Sequence, residues 1–327
     1  MTTLPPPTVT RADLDHAARV VNQHLVPTPL IEVDMDGHQV LLKLESLQPT
    51  GAFKVRGALV AAAFDSSRTD SQPRRLITAS AGNHGLGVAY ACSRLGVAAT
   101  VVVPTTASPA KIAALRQFPI ELLERGDSYD EAEDVALDLV RSGKGRYVSA
   151  YNDPQVIAGQ GTLVDELETQ MAEEIDEFDI VVPVGGGGLA AGVSMRAKCS
   201  DRHVTVTGVE ALASTAVSTA VATREIRTVT VGNTVADGLA GNIADDTQTP
   251  AILAAAGTRL LTVDEDAIRH AVRTLALSFG LVVEGSAAAG IAALLTGTIN
   301  TDRRTTVVVV TGRNISADTL TDCLGAG

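Results

Sequence analysis

Lys54 stands in the run Thr50-Gly51-Ala52-Phe53-Lys54-Val55-Arg56-Gly57, just inside a turn between an expected strand and an expected helix. An amine works as a nucleophile only when it is partly desolvated and held in place. A lysine taken alone is better explained as a solvated side chain, since most lysines are exposed. A second run, Gly185-Gly186-Gly187-Gly188, lies between an apolar stretch at 180–184 and a helix expected from Leu189. Without Cβ atoms, successive backbone N–H groups can converge on an anion, and the helix adds the positive end of its dipole. No Lys-Ser or Lys-Thr follows, so the run is not a P-loop. Gly186, Gly188 and Ala191 also fit G-x-G-x-x-A, with Glu210 ending the next strand where a ribose-binding acid would stand. A dinucleotide loop is therefore an alternative.

Two further turns carry polar groups. Thr78-Ala79-Ser80-Ala81-Gly82-Asn83-His84-Gly85 offers a hydroxyl, an amide and several N–H groups at a helix start. That set suits a carboxylate or a phosphate, and ordinary helix capping by Ser80 or Asn83 explains it equally. His84 reads as structural rather than as a base. Thr311-Gly312-Arg313-Asn314 closes the last apolar strand. A hydroxyl at the C-terminal end of a strand in an α/β sheet lies where ligands bind, although a plain strand-ending turn reads the same.

The elements that must position these turns alternate along the chain. Strands are expected at 40–44, 76–77, 100–103, 180–184, 204–209 and 305–311, and helices at 111–117, 128–140, 155–173 and 267–277. Strands alternating with helices predict an α/β fold, with mostly parallel sheets covered by helices on both faces. Thr10, with Asp13 three residues on, is expected to cap the first helix. Breaks are expected at 66–73 and 149–154, and 224–249 reads as one long irregular segment. At 327 residues the chain has length for about two domains. Lys and Arg number 26 against 38 Asp and Glu, a net charge of −12 that argues against nucleic acid or an anionic membrane as partner. No stretch reaches the roughly 18 apolar residues of a transmembrane helix, and the N-terminal residues lack a signal-peptide pattern. Cys92, Cys199 and Cys323 form no CxxC pair, which points to a reducing compartment, with the cytoplasm as the expected location.

Together and in this order, the four turns resemble the fold type II pyridoxal-phosphate enzymes, in particular their threonine/serine dehydratase and serine racemase branch. The likeness runs from Thr28-Pro29-Leu30 to Thr311-Gly312-Arg313-Asn314. It includes Asn152-Asp153-Pro154, Ile157-Ala158-Gly159-Gln160-Gly161-Thr162 and Ala236-Asp237-Gly238-Leu239-Ala240, and it outweighs the lone dinucleotide fit. The resemblance implies a two-domain, tryptophan synthase β-like fold with twisted sheets. Residues 1–71 and 151–327 would form a large cofactor-binding domain, and residues 72–150 a small mobile domain that closes over substrate. It implies pyridoxal 5'-phosphate as cofactor, with Lys54 forming the Schiff base and shuttling the substrate α-proton. Phe53 would pack on the cofactor, Asn83 bond its phenolic oxygen, Gly185, Gly186, Gly187 and Gly188 hold its phosphate, and Thr311 face its ring nitrogen.

By the same resemblance Ser80 is catalytic, and Ser80, Ala81, Asn83 and His84 contact the substrate. The implied reaction is α,β-elimination from L-threonine or L-serine to a 2-oxo acid and ammonia. Alternatives are another β-hydroxy amino acid such as 3-hydroxyaspartate, a racemase or, from a different class, an NAD-linked oxidoreductase. Serine racemases carry a second serine where this chain has Ala81, so dehydration is preferred. The branch's cation site is matched only by Glu210, since its second acid falls on Ala216. A homodimer is the implied assembly, and no C-terminal regulatory domain is expected.

Overall fold

Val307, Val308 and Val309 are β-branched and wholly buried, which favours an extended chain with both faces covered. They lie at the centre of a computed structural model that describes residues 2–66, 74–301 and 304–325. The chain opens with β1 (Thr2–Thr3), α1 (Arg11–His24), the hairpin β2 (Leu30–Met35) and β3 (His38–Lys43), then α2 (Val55–Ser66). Next come β4 (Leu76–Ala79), α3 (Asn83–Leu95), β5 (Ala99–Val103), α4 (Pro109–Leu115), β6 (Glu121–Glu124), α5 (Tyr129–Arg141) and β7 (Arg146–Tyr147). The chain continues through α6 (Pro154–Gln170), β8 (Glu177–Pro183), α7 (Gly188–Ala197), β9 (His203–Ala211), α8 (Ala216–Thr223) and β10 (Glu225–Ile226). Last are α9 (Thr249–Ala256), β11 (Arg259–Val263), α10 (Glu265–Phe279), α11 (Gly285–Leu295), β12 (Thr305–Val309) and α12 (Ala317–Gly325).

Two sheets organise these elements. The larger has the order β11-β9-β8-β12-β3-β2, parallel except for the antiparallel edge hairpin. Side chains that alternate along its strands go to opposite cores. Val181, Val308 and Val310 pack with α10 and α11, whereas Ile180, Val182, Val307 and Val309 pack with residues of α6 and α7. The smaller sheet, β6-β5-β4-β7, is parallel throughout. On one face Ile77, Ala79 and Val102 meet Ala132 and Ala136 of α5. On the other, Val101 and Val103 meet Ala89 of α3 and Ile112 and Leu115 of α4.

The expected cap of α1 is present as a capping box: the Asp13 N–H donates to Thr10 Oγ1 (3.2 Å) and the Thr10 N–H to Asp13 Oδ2 (2.8 Å). The segment 224–249 is mostly irregular, broken by β10 and a 3-10 turn at Asp237–Leu239. The break at 149–154 is the crossing from β7 to α6. The boundary expected between residues 71 and 72 lies outside the described residues, as does all of the 66–73 break after Ser66. Among the described residues no helix is long and apolar enough to cross a membrane.

Candidate active site

Lys54, Asn83, the glycine run and Thr311 each follow the C-terminal end of a parallel strand: β3, β4, β8 and β12 respectively. Strand direction brings three of these turns to one edge of the larger sheet, and the smaller sheet presents the Asn83 turn to them across the seam, where Asn83 meets Glu284 and Asn314. The lysine turn is laced to the last of them. The Phe53 N–H donates to the Thr311 carbonyl at 3.0 Å, and Ala52 bridges Gly312. Lys54 Nζ donates to the Ala150 carbonyl at 2.8 Å and stands 5.1 Å from the centroid of the Phe53 ring. Burial pulls its pKa down from 10.5 to about 8, partly offset by the charge of Glu284.

The helix starts around this amine lack the caps found elsewhere. Thr10, Ser108, Ser128, Asp153 and Asp264 cap α1, α4, α5, α6 and α10 through their side chains. By contrast α3, α7 and α11 follow Gly82, Gly187 and Glu284, none of which makes a side-chain cap. Their positive ends stay available to an anion. Gly187 takes φ +83°, which glycine adopts without strain. A Cβ on Gly186 would collide with the ring of Tyr151, the residue after Lys54's carbonyl partner. The glycine run thus makes room for Tyr151 as well as offering N–H groups.

Asn83 does not point into open space. Its Nδ2 donates to both Glu284 oxygens, at 2.8 and 2.9 Å. Burial raises the Glu284 pKa from 4.5 to about 7, against the hydrogen bond from Asn83. Ser80 Oγ accepts the Gly82 N–H at 3.2 Å, and Ala81 is half-buried beside it. Thr311 is buried.

Two of the residues singled out in the sequence have side chains engaged within the protein. The ring of His84, expected among the substrate contacts, is 3% exposed and faces the Val148 carbonyl through Nε2 at 3.0 Å. Burial and the neighbouring Lys54 hold its pKa down to about 3. His84 is therefore neutral and can offer substrate only its backbone N–H. Glu210, the one residue matched to the branch's cation site, caps α8: its carboxylate accepts the Val217 N–H at 2.9 Å and the Ser218 N–H at 3.1 Å. The same engagement removes it from the ribose position that a dinucleotide loop would need. Among the described residues no group of three or more His, Cys, Asp or Glu side chains is placed to hold a metal.

Glu284, Ala150 and Tyr151 were not among the sequence candidates. Ala150 acts through its backbone, which no residue type announces. Glu284 had a signal: a lone acid between Leu281-Val282-Val283 and the Ala-rich run after Gly285.

Comparison with known proteins agrees with this geometry. The family model described as "Pyridoxal-phosphate dependent enzyme" matches residues 21–312. An L-threonine ammonia-lyase from Geobacter sulfurreducens is 36% identical over 289 residues, covering 87% of this chain and 69% of that protein. The crystal structure of a T.th. threonine deaminase superposes with a TM-score of 0.81 at 33% identity, over 94% of this chain and 99% of that one. A pyridoxal 5'-phosphate-dependent aspartate racemase superposes with a TM-score of 0.85 at 29% identity, over 97% and 99%.

Proposed function

Because the chain belongs to the pyridoxal-phosphate-dependent enzyme family, we propose that it is an ammonia-lyase, removing water from L-threonine or L-serine to give a 2-oxo acid and ammonia. The observation that carries this reading is the Lys54 amine. It is desolvated, held to the Ala150 carbonyl and ringed by uncapped helix starts, in a chain at least 30% identical to threonine ammonia-lyases. Bound there, pyridoxal phosphate would supply the electron sink for the α-carbon.

The chain's own residues do the rest. Lys54 would hold the cofactor covalently and, once displaced by substrate, take the α-proton on Nζ. Its lowered pKa gives a far larger share of free amine near neutral pH than an ordinary lysine has, as a base requires. The N–H groups of Gly185 to Gly188 and the start of α7 would bind the phosphate, with Phe53 against the ring and Thr311 at its nitrogen. Ser80 Oγ and the N–H groups at the start of α3 would grip the substrate carboxylate, with the Asn83 amide beside them. Departure of the β-hydroxyl with a proton, then hydrolysis of the free enamine, completes the balance. Ala81 carries no titratable atom on the opposite face of the substrate, which favours dehydration over racemisation. A small domain at 72–150 and a cytoplasmic homodimer belong to the same reading, supported by the resemblance set out above.

The test has two arms. Borohydride should abolish the visible absorbance of the holoenzyme and leave the cofactor attached to the peptide containing Lys54. A screen of L-threonine, L-serine and 3-hydroxyaspartate should release 2-oxo acid from at least one of the first two. A label on another lysine, or 3-hydroxyaspartate as the sole substrate, would overturn the respective assignment.

A further inference from the structure

Asn314 ends the fourth motif, and nothing in the reaction just proposed gives it a task. Its side chain nonetheless makes two strong contacts from an exposed position. Asn314 Nδ2 donates to Asn83 Oδ1 at 2.6 Å and to the Thr50 carbonyl at 2.9 Å. Its backbone N–H donates to the Glu284 carboxylate, which also accepts Asn83 Nδ2 at 2.8 and 2.9 Å. The three residues therefore close a ring: Asn314 to Asn83, Asn83 to Glu284, and Asn314 back to Glu284. Each belongs to a different turn, those after β12, after β4 and before α11. Gly51 gives the ring room, since a Cβ there would stand 2.6 Å from Asn314 Oδ1.

We propose that Asn314 is a positioning residue that fixes which end of the Asn83 amide faces the cofactor. An isolated asparagine amide can turn over, exchanging its acceptor for its donors, and only its hydrogen-bond partners decide between the two. Here Oδ1 of Asn83 is pinned by a donor, so Nδ2 must face Glu284 and the cofactor side. Reversed, the amide would present oxygen to an oxygen-rich surface. The proposal rests on the function proposed above, because it assigns an Nδ2 proton, directed at Glu284 in this structure, to the cofactor's phenolic oxygen once the cofactor is bound.

The experiment uses the holoenzyme with Asn314→Asp and Asn314→Ala, each compared with wild type at equal folded fraction by circular dichroism. Aspartate can donate to neither Asn83 nor Thr50, and alanine removes the donor without adding a charge. An Asn83 amide left free to turn over would lose its bond to the ionised phenolic oxygen, and a charge-assisted bond of that kind is worth roughly 10- to 100-fold in rate. Both variants should therefore lower kcat by about that factor with little change in KM, and should shift the pH titration of the visible band by about one unit. The double variant Asn83→Ala with Asn314→Ala should be no slower than Asn83→Ala alone, since the two act through one bond. An unmoved band in both variants, or losses that multiply in the double variant, would overturn the role of Asn314. A wild-type holoenzyme lacking a borohydride-sensitive band would instead remove the functional reading beneath it.

Discussion

At the scale of single residues, the chemistry depends on keeping an amine unprotonated beside a carboxyl group. Burial lowers the Lys54 pKa to about 8, and the same burial raises that of Glu284 to about 7. The carboxylate, where ionised, stabilises the ammonium form. Removing it as Glu284→Gln must therefore lower the Lys54 pKa further. The rate at which apoenzyme takes up pyridoxal phosphate should rise with pH through about 8, well below the ordinary lysine value of 10.5. In Glu284→Gln the midpoint should move to lower pH; an upward or absent shift would show that the two groups do not sense each other. Lys54 was legible in sequence because a strand, a turn and an aromatic residue surround it. Glu284 was not singled out, because its partner Asn83 lies 201 residues away, and that distance closes only when the turn after β4 meets the start of α11 across the two sheets.

At the scale of elements, the lysine turn is fastened from below. Arg56, two residues past Lys54 and fully buried, meets both oxygens of Glu45 at 2.7 Å and Glu166 of α6 at 2.7 Å. Lys43, also fully buried, donates to the other Glu166 oxygen at 2.7 Å. The quartet is neutral, and it ties together the loop from β3 to α2 and the helix that follows Lys54's carbonyl partner. Breaking such a group from one side strands a buried charge. Arg56→Met should therefore lose about 3–5 kcal/mol in urea unfolding. Replacing Arg56, Glu45, Glu166 and Lys43 together by apolar residues should recover most of that, because no charge is then left unpaired. A single-variant loss below about 1 kcal/mol would mean that the quartet is solvated. None of this could be read from composition, since Lys, Glu and Arg ordinarily sit outside. The central strands could be read, because a strand buried on both faces is a continuous apolar run. The β2–β3 hairpin was missed although Asp36-Gly37, both at positive φ (54° and 85°), is the pair such a turn favours. Helix α11 has no apolar period to find, because all but its last residue, Leu295, are buried.

At the scale of the whole molecule, the site belongs to neither sheet alone. Asn83 follows a strand of the smaller sheet, whereas Glu284, Thr311 and the glycine run adjoin the larger. Movement of one sheet against the other would therefore make or break the ring of Asn83, Glu284 and Asn314. A second contact spans the same seam at the surface: Lys111 Nζ of α4 lies 3.8 Å from the Asp237 carboxylate. The two side chains are 48% and 72% exposed, so water and salt screen them and the pair is worth at most about 1 kcal/mol. That is too little to hold the fold and enough to bias an open–closed equilibrium by about 5-fold. If residues 72–150 move as a unit, as proposed, charge reversal at Lys111 should favour the open form. Lys111→Glu should then raise KM for substrate by up to about 5-fold, with thermal stability and kcat nearly unchanged. The exchange Lys111→Glu with Asp237→Lys should restore KM, because it rebuilds the attraction with the charges swapped. Solution scattering should show the radius of gyration falling when a non-reacting substrate analogue binds to wild type, and falling less in Lys111→Glu. Closure requires both results: an unchanged radius in wild type would leave the seam rigid, and an exchange variant that kept the raised KM would remove the ion pair from it.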